Sequence, residues 1–340
     1  MSGGVDSSVS AALLLEQGYE VIGAFMKNWS SDAENELQNE CNWRDERRDA
    51  MRVAAQLDIP FLTFDFEKEY RRDVIDYMFR EFEAGRTPNP DVMCNKYVKF
   101  DLFVKEAEKL GCDFIATGHY ARREDGKILA GKDKNKDQTY FLWAINPTVL
   151  PRVLFPIGDM DKPDVRVKAE SLELDVAEKK DSVGICFVGE VNIAEFLKTR
   201  VKEEPGDIIT TEGKVIGQHR GVNFYTIGQR HGLDVGGGTP YYVVAKRPKK
   251  RELVVSSNYH QGLYKKDLVA IQCNWFRIPE SKFRCEARIR YRQDLQKCKV
   301  MMTDDGNVRV EFKEPQRAVT PGQSIVFYDG EEMIGGGIIE

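Results

Sequence analysis

Between Tyr19 and Tyr120 the chain alternates strand-length apolar runs with helix-length amphipathic ones, and this alternation restricts the fold more than any other feature. YEVIGAFM (19–26), IPFLTFDF (59–66) and DFIATGHY (113–120) have the length and apolar content of buried strands. WRDERRDAMRVAAQLD (43–58), EKEYRRDVIDYMFREFEAG (67–85) and VKFDLFVKEAEKLGC (98–112) carry helical periodicity, the second stopping at Gly85. Strands separated by helices pair in parallel, because the helix returns the chain to the end it left. The expectation is an α/β unit built on a doubly wound parallel sheet, with ligands at the carboxyl ends of the strands.

Beyond residue 200 the pattern changes. GDIITTEGKVIGQHRG, PYYVVAKR, RELVVSSN, DLVAIQCNWF, FRCEARIRYR and KCKVMMTDDGNVRVEF are short alternating runs broken by Gly, Asp and Asn. These predict two small mainly-β domains, the last a β-barrel. A length of 340 residues also asks for more than one core. The expected domains are 1–195, 196–255 and 256–340.

Apolar residues make up 41% and charged residues 31% of the chain, and no apolar run approaches the roughly 20 residues that span a bilayer. No secretory leader is legible, so the expected location is cytoplasmic, without a membrane partner. The net charge of −5 gives no global attraction to a polyanion. The clusters RDERR (44–48), RPKKR (247–251) and RIRYR (288–292) are local exceptions, each readable as solvated surface. The cysteines number seven, widely spaced and without a CxxC pair, which excludes a secreted disulfide framework and a zinc-finger pattern. Cys112, Cys273, Cys285 and Cys298 stand in apolar or strand-like surroundings and read as core fillers.

The first residues, MSGGVDSS, run straight into the apolar stretch VSAALLL. Glycines allow a phosphate to approach the backbone, and the helix behind offers unpaired N–H groups and a positive dipole end. The lysine of the GxxxxGK[ST] loop is missing, so the loop is not of that type. Asp6 suits a metal ion that phosphates also ligate. SGGVDSS resembles the loop of enzymes that cleave ATP between its α and β phosphates. Relatives of that kind carry a short apolar strand before the loop; here Met1 directly precedes Ser2, so the sheet neighbours of that strand are expected to lack a partner.

GRTPNPDVMCNKYVKF (85–100) sets Asp91 and Cys94 three residues apart behind a turn stiffened by two prolines and capped by Asn89. If a helix opens there, both share a face near its N-terminus. KKDSVGICFVGE (179–190) places Cys186 after Lys179 and Lys180, which can lower a thiol's pKa. Two such cysteines beside an adenylating loop suggest sulfur transfer. A persulfide on one cysteine supplies sulfur, and the other attacks it as a disulfide forms or resolves the intermediate.

With FMKNW, ATGHYAR, KDQTYFL, LFPIG, YTIGQRHGL, RYRQ, VTPGQS and GGGIIE, these segments resemble, in order along the whole chain, the tRNA-specific 2-thiouridylase family. The resemblance implies an adenine nucleotide alpha hydrolase-like first domain. It implies ATP-dependent replacement of the 2-carbonyl oxygen of the wobble uridine, position 34, by sulfur in tRNAs for lysine, glutamate and glutamine. It assigns ATP and its Mg2+ to Ser2, Gly3, Gly4, Val5, Asp6, Ser7 and Ser8, with Met26 and Gly118 at the adenosine. Cys94 and Cys186 become the catalytic cysteines, Cys186 carrying the persulfide from a cysteine desulfurase relay, and Asp91 the general acid/base. Asn89, Pro90 and Asp91 would contact the flipped base. His119, Lys136, Asp137, Gln138, Arg290, Tyr291 and Gln323 would contact the tRNA, and RIRYRQ, read as a strand, would project Arg288, Arg290 and Arg292 together. An iron–sulfur cluster in place of the persulfide would recruit Cys94, Cys186 and a third ligand, for which Cys41 is the candidate but without metal spacing. Two competing functions remain at this point: an amidotransferase or ligase of the same loop superfamily, which needs no paired cysteines, and an RNA-binding module without catalysis, which releases no AMP.

Overall fold

A computed structural model describes residues 1–30, 43–180, 193–236, 238, 240–257 and 261–340. Helix α1 (Val5–Glu16) starts directly behind the glycines, with Gly4 as an extended N-cap. Its Val9 and Ala12 are buried, as a helix apolar on most sides requires. The helix closes at Gly18, whose φ of +86° suits a residue without Cβ. The Tyr19 amide then bonds Leu14 O at 3.0 Å, so β1 (Gly23–Lys27) begins later than the apolar run suggested.

β1 pairs in parallel with β2 (Phe61–Asp65), with α2 (Trp43–Gln56) between them in sequence. A second parallel pair joins β3 (Ile115–Ala116) to β6 (Val153–Leu154). The opening loop touches both pairs: the Met1 amino group donates to Ala24 O, and Gly118 abuts the Ser7 amide. The doubly wound layer is therefore present, among the described residues, as two parallel ladders with the loop between them.

Two helical runs cover these ladders. The first comprises α3 (Glu67–Tyr70), a π-helical segment (Arg71–Ile75) and α4 (Asp76–Glu83). The second comprises α5 (Pro90–Met93), a π-helical segment (Cys94–Leu102) and α6 (Phe103–Lys109). Tyr70, Val74, Met78, Val92, Val98 and Phe100 bury there in one core that continues into Phe224, Leu253 and Val255 of the middle of the chain. Each fully buried side chain of this size contributes about 1.5–3 kcal/mol. Helix α7 (Lys162–Ser171) packs on α1, and the short α8 (Ile193–Lys198) leads out of the unit.

The middle unit is a four-stranded sheet of β7 (Gly206–Thr210), β8 (Val215–His219), β9 (Tyr242–Arg247) and β10 (Glu252–Ser256), in the order β8-β7-β10-β9. The last unit holds β11 (Tyr264–Trp275), β12 (Lys282–Arg288), β13 (Gln296–Met302), β14 (Val308–Arg317), β15 (Ser324–Asp329) and β16 (Glu332–Ile339). Its sheet closes on itself through a β11–β16 pairing, giving a six-stranded barrel filled by Val300, Val310, Phe312, Ile325 and Phe327.

One element was not foreseen. A hairpin of β4 (Ala121–Glu124) and β5 (Lys127–Ala130) leaves the first unit and adds to the barrel, Leu129 opposite Glu332 and Ile128 opposite Met333. Its turn places Asp125 and Gly126 at φ +47° and +76°, the pair of positive angles a two-residue hairpin turn needs. The following segment is wedged against the barrel: Trp143 Nε1 donates to Ser324 Oγ at 2.9 Å, Tyr140 OH to Ser324 O at 3.0 Å, and Asn274 Nδ2 to Trp143 O at 2.7 Å. Among the described residues no helix is long and apolar enough to cross a membrane.

Candidate active site

Gly118 joins the two halves of the site. A Cβ on it would lie 2.8 Å from Ser7 N and 2.9 Å from Asp6 C, so only glycine lets the end of β3 meet the start of α1. On one side of it is the loop. Ser7 Oγ accepts from Ser2 N at 3.1 Å, and Ser8 Oγ donates to Gly4 O at 2.9 Å, which folds the serines around the helix N-terminus. On the other side, the buried His119 ring packs 5.8 Å from Phe100 and 6.2 Å from Phe155, and Phe100 belongs to the π-helical segment that starts at Cys94. Met26 stands half-buried at the carboxyl end of β1.

Asp6 is not an isolated acid. Its Oδ1 accepts from Lys162 Nζ at 2.7 Å and from Tyr120 OH at 2.8 Å. Lys162 opens α7 and its own amide is fixed by Asp133 Oδ2 at 3.0 Å. Sequence reasoning missed Lys162 and Tyr120; the only signal was DKP, a helix start. Lys179, expected to tune a thiol, gives its ammonium to Gly3 O at 2.9 Å and Asp49 Oδ2 at 2.7 Å. Two cations thus border the loop, each balanced by a carboxylate. Among the described residues no group of three His, Cys, Asp or Glu could hold a metal ion. A divalent ion here fits as cargo of a polyphosphate with Asp6 in reach, while Cys186 and Cys41, two of the three cysteines an iron–sulfur cluster would recruit, lie outside the described residues.

Asn89 caps α5, accepting from Val92 N at 3.4 Å, with Pro90 at the first helical position. Asp91 is half-buried, one turn before the fully buried Cys94. Asn95 Nδ2 donates to Phe141 O at 3.0 Å and ties this helix to the barrel-facing segment. Cys186 and Cys41 lie outside the described residues.

His119 shares a hydrogen bond of 2.7 Å between Nδ1 and Thr117 Oγ1. Burial, with Lys99 adding to it, holds its pKa well below the usual imidazole range. The ring is therefore neutral at pH 7.

The residues assigned to RNA by resemblance divide by exposure. Asp137 is 2% exposed; its Oδ1 accepts from Thr139 Oγ1 at 2.8 Å and from the amides of Gly131 and Thr139 at 3.2 Å, and its Oδ2 lies 3.4 Å from Arg288 Nη2. Gln138 Oε1 accepts from Tyr120 N at 3.0 Å. Gln323 Nε2 donates to Thr87 O at 2.9 Å and Pro88 O at 3.1 Å. Lys136 is half-buried in the charged loop before Asp137. Tyr291 packs 4.6 Å from Phe141, and the Arg292 guanidinium lies 5.2 Å from its ring centroid.

The expected arginine stripe is corrected. β12 ends at Arg288, and Arg292 has φ +62°, so RIRYR is a strand end followed by a turn and its arginines do not alternate on one face. Gln293 Oε1 accepts from Ile289 N and closes that turn. Arg288 points inward to Asp137 and the Tyr328 ring, while Arg290 donates to Arg317 O and to Ala318 O at 3.1 Å.

Residues 1–190 match the tRNA methyl transferase HUP domain, 194–257 the tRNA methyl transferase PRC-barrel domain and 265–339 the aminomethyltransferase beta-barrel domain. The chain is 49% identical over 348 residues to the tRNA-specific 2-thiouridylase MnmA of Halalkalibacterium halodurans, covering 100% of this chain and 93% of that one. It is 49% identical over 349 residues to the enzyme of the same name from Bacillus subtilis, with the same coverage. It is 50% identical over 348 residues to tRNA-specific 2-thiouridylase MnmA 2 of Geobacillus kaustophilus, again covering 100% and 93%.

Proposed function

The chain belongs to the tRNA-specific 2-thiouridylase family, an ATP-using tRNA sulfurtransferase, and from that membership we propose that it thiolates the wobble uridine, position 34, of tRNAs for lysine, glutamate and glutamine. The observation that carries this reading is the Gly118–Tyr120 segment. It abuts the phosphate loop through Gly118 and Tyr120 OH, and it packs on the Cys94 helix through His119. In this reading the activated phosphate and the thiol act from the two sides of that segment.

The steps follow from the groups present. The uridine O2 attacks the α phosphorus of Mg-ATP, the bond to the β phosphate breaks, and pyrophosphate leaves. Asp91 takes the N3 proton. The terminal sulfur of a persulfide on Cys186 attacks C2, and the C2–O bond breaks with AMP as leaving group. The Cys94 thiolate attacks Cys186 Sγ, leaving sulfur on C2 and a Cys94–Cys186 disulfide, which a thiol reductant reopens. Asp91 returns the proton to N3. A cysteine desulfurase relay recharges Cys186, in the cytoplasm.

In this reading the N-terminus of α1 and the Ser2–Ser8 loop hold the phosphates, Asp6 would hold their Mg2+, which would offset phosphate charge, and Lys162 would add a second cation beside them. Met26 and Gly118 border the adenosine. Asn89 and Pro90 shape the seat of the base. Lys136, Arg290 and Tyr291 meet the RNA directly, while His119, Asp137 and Gln138 act beneath that surface. The units expected at 1–195, 196–255 and 256–340 divide the work into chemistry, linkage and RNA support.

Nucleoside mass spectrometry on unmodified glutamate tRNA, incubated with this chain, Mg-ATP and a desulfurase–cysteine sulfur source, tests the proposal. A 2-thiouridine peak that requires ATP is expected. AMP release without that peak would refute the sulfur step, and neither product would refute the nucleotide site.

A further inference from the structure

The turn that delivers Asp91 is held from outside its own unit. The Thr87 amide donates to Pro321 O at 2.9 Å. The two carbonyls that follow, of Thr87 and Pro88, both accept from the Gln323 side-chain amide. Between these contacts lies Gly322, at φ +90°, where a Cβ would fall 2.9 Å from both Thr87 N and Thr87 O. The barrel backbone thus lies flush against the turn. From the middle unit, Thr226 Oγ1 shares a 3.1 Å hydrogen bond with Thr87 Oγ1, and the Thr226 amide is itself fixed by Gln229 Oε1 at 2.9 Å. Pro88 and Pro90 have no N–H, so the turn cannot stitch itself through those residues. Its place is set by the barrel and the middle unit.

We infer that Gln323 is a positioning residue: by gripping the carbonyls of Thr87 and Pro88 it sets where Asp91 stands, and with Gly322 it makes the barrel part of the active site. This rests on the acid/base reading of Asp91 given above. A primary amide suits the task because it carries two N–H donors, one for each carbonyl. Glutamate has the same shape, yet when ionised it cannot donate and sets its charge against two carbonyl oxygens. Methionine has a similar length and no donor.

The test uses the full chain with Gln323→Glu and Gln323→Met, transcribed tRNA, Mg-ATP and a desulfurase–cysteine sulfur source with a thiol reductant. Steady-state AMP release gives kcat and KM for tRNA, and filter binding gives the tRNA affinity. A displaced acid/base group is expected to lower kcat by about 10- to 100-fold while tRNA affinity stays unchanged. As pH falls toward about 5, the Gln323→Glu carboxyl protonates and can donate again, so its deficit shrinks; the Gln323→Met deficit does not. Weakened tRNA binding with unchanged kcat would make Gln323 an RNA contact and overturn the inference. Hydrogen exchange of the peptide spanning residues 86–93 reads the turn without reference to Asp91. Faster exchange in Gln323→Met is expected, and unchanged exchange overturns the clamp. Faster exchange with unchanged kcat, together with full activity in Asp91→Asn, keeps the clamp and overturns the role of Asp91 instead.

Discussion

Replacing Arg288 by methionine tests the inward course of the arginine cluster. The side chain keeps its length and loses its charge, which leaves Asp137 as a carboxylate 2% exposed. At 3.4 Å and an effective dielectric of about 20, the gross attraction of the pair is about 5 kcal/mol. Desolvation cancels part of this, and breaking a buried pair on one side costs about 3–5 kcal/mol. Two features place Arg288→Met at the low end. Asp137 Oδ1 keeps its three hydrogen bonds from Gly131 and Thr139, and Asp137 Oδ2 and Arg288 Nε have no hydrogen-bond partner even in the parent. The expected loss is about 3 kcal/mol. With an unfolding entropy of roughly 2.1 cal/mol/K per residue, that is a drop of about 4 °C in Tm for a cooperative 340-residue unit. Asp137→Asn removes the stranded charge and keeps an acceptor for the same amides, so Arg288→Met/Asp137→Asn should return to within about 1 kcal/mol of the parent. Differential scanning calorimetry on the four proteins closes the cycle. Additive losses would refute the pairing. The salt dependence of tRNA binding should be unchanged in Arg288→Met, since the guanidinium does not face solvent; a shallower slope would restore it to the RNA surface.

Cys186→Ser should abolish 2-thiouridine formation while tRNA adenylation, read as tRNA-dependent pyrophosphate release, stays measurable, and unaltered thiolation would remove the persulfide from that residue. Lys162→Met should raise the KM for ATP by about tenfold or more by deleting a cation beside the phosphate loop, and an unchanged KM would make the Lys162–Asp6 pair purely structural. Burial holds the folded His119 pKa below its unfolded value, so between the two values the unfolded chain binds more protons. Stability should therefore be level above about pH 6.5 and fall below it, with a shallower fall in His119→Gln by urea titration; equal slopes would refute the contribution, with His219, shifted the same way by burial, supplying the remainder. Burial lifts the Cys273 thiol to about 12, and the hydrogen bond with Cys298, with burial adding to it, lifts Cys285 further. Iodoacetamide at pH 8 should leave both unmodified until denaturant is added, and native labelling seen by mass spectrometry would contradict the raised thiol pKa of these half-buried side chains.

The parallel ladders and the barrel were legible because their signals are local: strand-length apolar runs between amphipathic helices, then short alternating runs between turn residues. The loop and the Asn89–Pro90 helix start were legible for the same reason, since capping chemistry is written in adjacent residues. What escaped were pairings across long separations. Lys162 reaches Asp6 over an interval that no motif spans. The β4–β5 hairpin carried a visible signal in Asp125–Gly126, but nothing in the sequence told it to pair with β16 rather than with the first unit. RIRYR read as an alternating strand because its period is two; the turn closed by Gln293 and the buried charge of Asp137 decided otherwise, and both lie outside that pattern.

The added hairpin has a consequence for synthesis. β5 ends at Ala130 and its partner begins at Glu332, so the hairpin leaves the ribosome long before the strand it must meet. At about 5–20 residues per second, the roughly 200 intervening residues take on the order of 10–40 s. Through that interval the nascent first unit carries an open strand edge and an uncovered Trp143, both suited to sticking to other chains. A nonsense codon anywhere before the last strand would make that exposure permanent, so shortened chains should collect with chaperones or in inclusion bodies rather than persist as working catalytic halves.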